Sequence, residues 1–260
     1  MDGFQFNMSV GYDLEGIKLE KVDRFIEGMK DASAASIFNE CRQWLLDNLD
    51  RFENLTKEDV ESISPEICNC ATLSTLHGCP PQEIERIASY LLTEKKVHTF
   101  IKCNPTLLGY EYARKLMDDM GYDYVAFGDF HFRDDLQYTD AVPMLQRLQK
   151  LADEKGLEFG VKITNTFPVD VKQNELPSEE MYMSGKSLYA LSMSVAQKLA
   201  KDFDGKLRIS YSGGADYFNI TKIIDAGIWP VTMATTMLKP GGYERLEQIG
   251  QLFKADRKST

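Results

Sequence analysis

The chain has 260 residues, enough for one large domain, and a (β/α)8 barrel alone takes about 250. Its hydrophobic fraction of 43% and charged fraction of 27% are typical of a globular protein. The formal charge of −10 argues against nucleic-acid binding, which requires a basic surface. We also expect no membrane partner, because the sequence contains no apolar run of membrane-spanning length and no signal-peptide pattern.

The cysteines are odd in number and none is spaced as Cys-x-x-Cys. We therefore expect reduced thiols and a cytoplasmic location, rather than disulfides. The tight Cys68-Asn-Cys70 spacing also argues against a metal or iron–sulfur cluster within this chain. The cysteines are Cys41, Cys68, Cys70, Cys79 and Cys103.

The N-terminal quarter begins with a strand pattern and continues as a helical segment. Residues 4–10 alternate in polarity and predict a first strand. Residues 19–65 are charged and helical in pattern, and we interpret them as an insertion over one end of a barrel without chemistry of its own. Within the insertion, Thr56 followed by Asp59 is the N-terminal signature of a short helix.

Three strand candidates followed by helical patterns come next. The helices are expected from Pro81, near Tyr110 and from about Ala141. A polar loop containing His131 and Asp135 precedes the last of them, and its simplest interpretation is a solvated loop. The strand candidates are residues 70–76, 98–104 and 122–127.

The C-terminal half repeats the same alternation. Residues 157–163 predict a strand, a long loop over 165–187 follows, and a helix starts near Leu188. Two further units then each consist of a short strand, a turn of small residues and a helix. These units start at Leu207 and Trp229.

The seven strand candidates predict an α/β fold with a parallel sheet, in the form of a (β/α)8 TIM barrel over residues 1–260. Each is followed by a helix or a long loop, and no Asn-Gly hairpin signal interrupts the series. A barrel needs eight strands. Either one strand is unrecognised, or the chain lacks the first strands of its barrel.

The two final turns predict a phosphate site. Glycine lets backbone N–H groups approach an anion, and the following helix N-terminus adds partial positive charge. TIM barrels commonly bind phosphate in the loops after strands 7 and 8. The alternative is a pair of ordinary tight turns. The residues concerned are Ser212, Gly213, Gly214, Ala234, Thr235 and Thr236.

Several polar residues follow the strands where a barrel opens. Lys162 alternates with apolar neighbours, so its side chain is expected to enter the mouth, and Lys102 is a second candidate. A cation there could stabilise a reduced flavin, or a desolvated lysine could form a Schiff base. Thr164 and Asn165 could hydrogen-bond a planar heterocycle. Asn104, Ser184 and Gly185 lie at the same mouth.

Cys79 is the candidate thiol of the mouth. It lies beside a predicted helix N-terminus that could lower its pKa, although a structural thiol is the alternative interpretation. His77 is interpreted as a satisfied loop histidine and Cys103 as a core residue. The motifs of serine hydrolases and zinc peptidases are absent from the sequence.

The C-terminal half resembles the flavin-binding barrel of dihydroorotate and dihydropyrimidine dehydrogenases. Longer motifs across nearly the whole chain resemble the barrel segment of the selenate reductase subunit family, which is the YgfK-type family. The first resemblance lies in Gly160-Val-Lys-Ile-Thr-Asn-Thr166, Met183-Ser-Gly-Lys-Ser-Leu188, Ile209-Ser-Tyr-Ser-Gly-Gly214 and Val231-Thr-Met-Ala-Thr-Thr-Met237. The second lies in Phe6-Asn-Met-Ser-Val-Gly-Tyr12, Leu73-Ser-Thr-Leu-His-Gly-Cys-Pro-Pro81, Asn104-Pro-Thr-Leu-Leu-Gly-Tyr110, Glu180-Met-Tyr-Met-Ser-Gly185 and Met237-Leu-Lys-Pro-Gly-Gly-Tyr243.

The resemblance implies an FMN-dependent oxidoreductase barrel. It implies that the FMN phosphate binds at Gly213, Gly214, Thr235 and Thr236, and that the ring lies near Lys162 and Asn165 with Ser184 and Gly185 on one side. A mouth cysteine, Cys79 or Cys103, would be the catalytic acid, with Cys79 preferred. It also implies partners outside this chain, namely ferredoxin-like iron–sulfur and FAD- and NADPH-binding portions.

Two alternatives to the flavin hypothesis remain open. The first is a flavin-free, phosphate-binding barrel in which Lys162 or Lys102 forms a Schiff base with a carbonyl substrate. The second is a non-catalytic barrel that serves as a docking module for a redox complex.

Overall fold

The structure, a computed structural model, describes residues 6–74 and 77–256. Helices and strands alternate along most of this length. The strands are β1 Met8–Val10, β2 Cys70–Leu73, β3 His98–Cys103, β4 Phe159–Ile163, β5 Phe167–Asp170, β6 Glu180–Met183 and β7 Arg208–Tyr211. The helices are α1 Leu14–Ile17, α2 Glu20–Lys30, α3 Ser36–Asp47, α4 Lys57–Glu61, α5 Pro81–Thr93, α6 Tyr110–Asp119, α7 Phe130–Asp134, α8 Tyr138–Lys155, α9 Tyr189–Asp202, α10 Ile220–Asp225, α11 Thr235–Leu238 and α12 Glu244–Asp256.

The main sheet is parallel and follows the chain order. β1, β2, β3, β4 and β7 pair in sequence, and a parallel bridge from Tyr211 to Val231 extends the series. Each strand thus pairs with the next one, which is the connectivity of a βα barrel. No pairing within the described residues joins β1 to Val231. Paired residues of neighbouring parallel strands point the same way, so the alignment of Lys102 with Lys162 brings both lysines to one face.

The core lies between the sheet and the surrounding helices. All four residues of β2 are buried, as expected for a strand covered on both faces. Helix α5 begins at Pro81, whose ring suits the first helical turn, and it buries Ile84, Ile87 and Leu91 against the sheet. Each such aliphatic side chain contributes about 1.5–3 kcal/mol when fully buried. This core fixes the carboxyl ends of the strands.

The strand predicted over residues 122–127 is wrong. The segment forms turns and irregular structure, and β3 pairs directly with β4 instead. Its carbonyl groups are bonded outside any ladder: Arg114 donates to the carbonyls of Tyr122 and Val125, and the amide of Asp170 donates to that of Ala126. Alternating apolar residues therefore pack here without joining the sheet.

The prediction of a loop over residues 165–187 is also wrong, because the segment contains an antiparallel hairpin that no Asn-Gly signal marks. β5 and β6 pair in antiparallel register, with Phe167 opposite Met183 and Asp170 opposite Glu180. Val169 and Phe167 are buried, so this β5–β6 hairpin is anchored to the core. It rises from the carboxyl end of β4.

The remaining element predictions agree with the structure, with shifted bounds, at all but two places. The loop predicted around His131 contains helix α7, and no strand forms after Trp229 within the described residues. Within residues 19–65 lie helices α2, α3 and α4, and Thr56 and Asp59 form the expected capping box. The segment starting at Trp229 contributes one bridge rather than a strand. Residues 4, 5, 75 and 76, at the ends of the first two predicted strands, lie outside the described residues.

The described residues contain neither a membrane-spanning helix nor a cluster of metal-binding side chains. No helix in the described part of the chain is long and apolar enough to cross a membrane. Across residues 6–74 and 77–256, no cluster of three or more histidine, cysteine or acidic side chains could hold a metal ion.

Candidate cofactor and active site

A cavity of about 220 Å³ lies at the carboxyl ends of β3, β4 and β7. We call it the mouth cavity. Ten of the residues predicted from the sequence line it, which brings the two glycine turns and both lysines together. Its lining comprises Lys102, Lys162, Thr164, Thr166, Ser184, Gly185, Leu188, Ser212, Gly214, Ala215, Thr232, Met233, Ala234, Thr235 and Thr236.

The small-residue turns form one wall of the mouth cavity because they pack directly on each other. Gly214 has a φ of +82°, and a methyl group on it would overlap the Gly185 carbonyl and approach the Lys186 amide nitrogen to 2.6 Å. Gly185 has a φ of +75°, and a methyl group there would lie 3.2 Å from Cγ2 of Thr235. Glycine is therefore required at Gly214 by both conformation and space.

Lys102 and Lys162 bring two cationic side chains into the cavity. Neither ammonium group has a hydrogen bond or ion pair with any residue that the structure describes. Burial lowers the pKa of both lysines, and the neighbouring charge of Lys102 lowers that of Lys162 further. Two desolvated like charges are unfavourable alone, so the site favours an anion.

Three hydroxyl groups of the mouth cavity form hydrogen bonds within the protein. Thr164 is buried and its hydroxyl lies 2.8 Å from that of Ser192. Ser212 donates to the carbonyl of Thr164, at 3.1 Å, and Thr236 donates to that of Ala215, at 2.8 Å. These bonds fix the wall, and because Ser212 and Thr236 donate their protons to carbonyl groups, they offer lone pairs for other contacts.

Three of the predicted binding residues do not line the mouth cavity. Gly213 packs behind it, where a methyl group would approach Cβ of Ser192 to 2.6 Å. Asn165 donates to the side-chain oxygen of Asn104 at 2.6 Å and accepts from Ser74 at 3.4 Å. The two asparagines therefore bond each other beside the cavity.

Asn104 leads to a buried carboxylate that the sequence interpretation missed. Asp135 is only 4% exposed, so the prediction of a solvated loop is wrong at this residue. Its oxygens accept hydrogen bonds from Asn104 at 3.0 Å, from Thr106 at 2.7 Å and from the amide of Gly78 at 3.0 Å. We call Asp135 and the residues bonded to its carboxylate the Asp135 cluster.

His77 also belongs to the Asp135 cluster. Its Nδ1 lies 2.9 and 3.0 Å from the two oxygens of Asp135, and this hydrogen bond raises the pKa of His77 against the opposing effect of burial. Burial would raise the pKa of Asp135, but the hydrogen bonds from His77 and Thr106 outweigh it and the pKa lies below its usual value. His77 is therefore a hydrogen-bonded histidine whose ring is oriented by a buried carboxylate.

The two cysteines considered for the mouth differ in burial. Burial, together with the charge of Glu83, raises the pKa of Cys79, so the expected lowering by a helix N-terminus is wrong in direction. Cys103 is buried, as predicted for a core residue, and burial raises its pKa to about 12. Neither lines the mouth cavity. A thiol that stays protonated can donate a proton but is a poor nucleophile.

A second cavity, the interior cavity, adjoins the first. It measures about 610 Å³ and shares Lys162 and Thr232 with the mouth cavity. The interior cavity is also lined by Thr72, Phe100 and Ser210, whose side chains lie on the face of the sheet that borders the cavity. Lys162 therefore lies between the mouth cavity and the interior cavity.

Comparisons with known proteins identify relatives over almost the whole chain. Residues 1–260 match the family described as "Oxidoreductase YgfK, N-terminal TIM-barrel domain". The proteins named "Putative oxidoreductase YgfK" from Escherichia coli K12 and from Escherichia coli O157:H7 are each 48% identical over 254 residues, which is 94% of this chain. The chain spans about a quarter of the length of these curated relatives, at 25%.

Solved structures of DHODH from Eimeria tenella also align with the chain. The complex with ferulenol has a TM-score of 0.44 at 18% identity and covers 85% of this chain and 63% of that one. The ligand-free form has a TM-score of 0.38 at 15% identity and covers 71% and 60%.

The family match and the curated relatives agree with the parallel, sequentially paired strands of the structure. The fold class predicted from the sequence, a TIM barrel, is confirmed, as is the family that the long motifs resemble. The chain belongs to the family of the N-terminal TIM-barrel domain of the oxidoreductase YgfK.

Proposed function

We propose that this chain is the FMN-binding oxidoreductase domain of a larger redox enzyme. One observation carries the proposal: two lysines, Lys102 and Lys162, line the same cavity as the turns of Gly185, Gly214 and Thr235. Such an arrangement suits a ligand with an anionic end, and a flavin nucleotide has one. The family supports the oxidoreductase class.

The residues fit a flavin nucleotide in charge and in shape. The unpaired lysines supply positive charge, and the close approach of Gly214 to Gly185 leaves backbone rather than side chains at the wall. At about 220 Å³ the mouth cavity is smaller than a typical ligand site of about 300–1,000 Å³. It would hold one part of the nucleotide, with the rest lying along the open side.

Different residues of the chain would bind FMN and neutralise its charge. Bound FMN supplies hydride-transfer chemistry. Gly185, Gly214 and Thr235 would hold its phosphate end, and Lys162 would stabilise negative charge on the ring. Cys79 stays a predicted proton donor, supported by a raised pKa that keeps the thiol protonated. The substrate class we propose is an oxidised heterocycle.

The partners that we propose lie outside this chain. The relatives are about four times as long as the matched segment, since it is 25% of their length. We propose that iron–sulfur and FAD- and NADPH-binding portions deliver electrons to the barrel. Reduction of selenate, suggested by the YgfK-type resemblance, would be an activity of that whole assembly.

FMN titration of the chain tests the proposal. We expect the purified chain to bind FMN, and the Lys162→Met variant to bind it more weakly. Lys150→Met is the control, because Lys150 is exposed on α8 and has only a distant partner in Glu154. Equal affinities for all three proteins, or no binding by any, would contradict the proposal.

The lowered pKa of Lys162 favours a second candidate, a flavin-free enzyme that uses a Schiff-base lysine. Borohydride reduction in the presence of a carbonyl compound such as pyruvate distinguishes the two. A covalent adduct on Lys162 or Lys102 of a colourless protein would favour the Schiff base. Absence of an adduct, with FMN bound, favours the flavin.

A third candidate is a non-catalytic docking barrel. It would be favoured if the chain binds no FMN and forms no adduct but still associates with the remainder of a YgfK-type protein.

A further inference from the structure

The Asp135 cluster places His77 on the same rim of the barrel as the mouth cavity. Asn104 lies two residues beyond Lys102, and Asn165 directly follows Thr164, so both asparagines extend from strands that line the cavity. Asn104 bonds Asp135 and lies 3.4 Å from Nδ1 of His77. The cluster therefore continues the same rim of the barrel, one strand further along.

The orientation of His77 leaves one ring nitrogen for chemistry. Nδ1 is engaged by Asp135, while Nε2 has no hydrogen-bond partner among the residues that the structure describes. A carboxylate on Nδ1 fixes the tautomer and stabilises the imidazolium, which is the arrangement of proton-transferring histidines. The side chain of His77 is 24% exposed, so burial does not close its ring off from a bound molecule.

The β5–β6 hairpin contacts both the mouth cavity and His77. Thr166 and Ser184, which flank its two strands, line the mouth cavity. Tyr182 of β6 stacks on His77 with ring centroids 6.2 Å apart. A molecule held under this hairpin would contact the cavity on one side and His77 on the other.

The charged groups around His77 favour its protonated form. Asp135 bonds it, while Asp134 and Glu180 raise its pKa through their charges. His131 meets it edge to face at 5.3 Å, and Glu180 lies 2.8 Å from Nε2 of His131. The hydrogen bond to Asp135 and the charges of the three acidic groups outweigh the opposing effect of burial, so the pKa of His77 is raised.

We propose that His77, oriented by Asp135, takes the place of the predicted Cys79 as the residue that exchanges a proton with the substrate. This inference rests on the proposed function. In the direction of reduction, a conjugated C=C bond of the substrate would receive a hydride at one carbon, and bound reduced FMN would supply that hydride. The π electrons of the C=C bond take the proton from Nε2 at the other carbon. His77 becomes neutral and regains its proton from solvent.

Two kinds of oxidant applied to the FMN-loaded, dithionite-reduced chain test the proposal. Uracil and 2-cyclohexen-1-one need a proton at carbon, whereas ferricyanide accepts electrons only. We expect His77→Gln to slow flavin oxidation by the unsaturated rings about 10²–10⁴-fold and to remove the limb of the pH profile that reports its acid. Oxidation by ferricyanide should be unchanged.

A second readout does not depend on activity. The chain contains 3 histidines, so NMR titration can follow each imidazole separately. We expect a His77 pKa above 6.5 that falls towards 6.5 in Asp135→Asn. A His77 pKa unaffected by Asp135→Asn overturns the proposal.

The outcomes separate this inference from the proposed function. A chain that binds no FMN overturns both. A flavin-loaded chain in which Cys79→Ser, and not His77→Gln, removes the pH-dependent limb overturns this inference alone. Flavin that reacts with ferricyanide but with neither unsaturated ring overturns the substrate class, and with it the role of His77.

Discussion

Replacement of Gly214 by alanine tests whether the two turns must touch to build the mouth cavity. Gly214 has a φ of +82°, a region that costs an L-residue about 1–2 kcal/mol. The added methyl group would also overlap the backbone of Gly185 and come within 2.6 Å of the Lys186 nitrogen. Because backbone cannot rotate away, overpacking should cost about 1–3 kcal/mol more.

Gly227→Ala is a matched control. Gly227 has a φ of +76°, similar to that of Gly214, but a methyl group there would meet no atom within 4 Å. Both substitutions therefore carry the same conformational penalty and the same entropic gain from restricting the unfolded chain. The difference between the variants measures the overlap alone.

We expect urea unfolding to show Gly214→Ala about 1–3 kcal/mol less stable than Gly227→Ala. FMN affinity should fall in Gly214→Ala only, because the wall moves only there. The reasoning is refuted if the two variants are equally stable and bind FMN equally well.

Three further predictions concern the charged residues. Lys162→Met should weaken FMN binding by about 1.5–3 kcal/mol, measured by calorimetry against Lys150→Met. Without ligand, Lys162→Met should raise Tm at neutral pH, because it removes a desolvated charge beside Lys102. That gain in Tm should shrink as the pH rises towards 10.5. The pKa of Lys162 is lower in the folded chain than in the unfolded chain, so the unfolded chain binds more protons in this range. The wild type therefore gains stability as Lys162 deprotonates. A gain that is constant or grows with pH would contradict this. Asp135→Asn should destabilise the chain by about 1–3 kcal/mol, and urea unfolding at several pH values checks this. The loss should be largest between pH 3.8 and 6.5, because the contribution of Asp135 disappears as the pH falls through its lowered pKa and that of His77 as the pH rises through its raised pKa. A loss that does not vary with pH would be evidence against the pair.

The parallel units could be predicted because their signals are local. Pro81 at a helix start and Gly227 after a helix each act through their own backbone angles. The alternation around Lys162 likewise gave the direction of its side chain, because side chains alternate along a strand. The convergence of the two turns followed from the order of the strands.

The failures share a different cause, which is dependence on tertiary contacts. Residues 122–127 alternate in polarity as a strand would. The guanidinium of Arg114, however, donates hydrogen bonds to two carbonyl groups of this segment, and β3 pairs with β4 instead. Asp134 and Asp135 are adjacent and chemically identical in sequence. Only the fold buries Asp135 against His77, Asn104 and Thr106, so no local pattern distinguishes it.

The absorption spectrum of the purified chain, followed by FMN titration of the apo form, tests the central claim most directly. The account predicts flavin bands near roughly 450 nm, or their appearance on titration with saturation at one FMN per chain. A colourless chain that does not bind added FMN would contradict it.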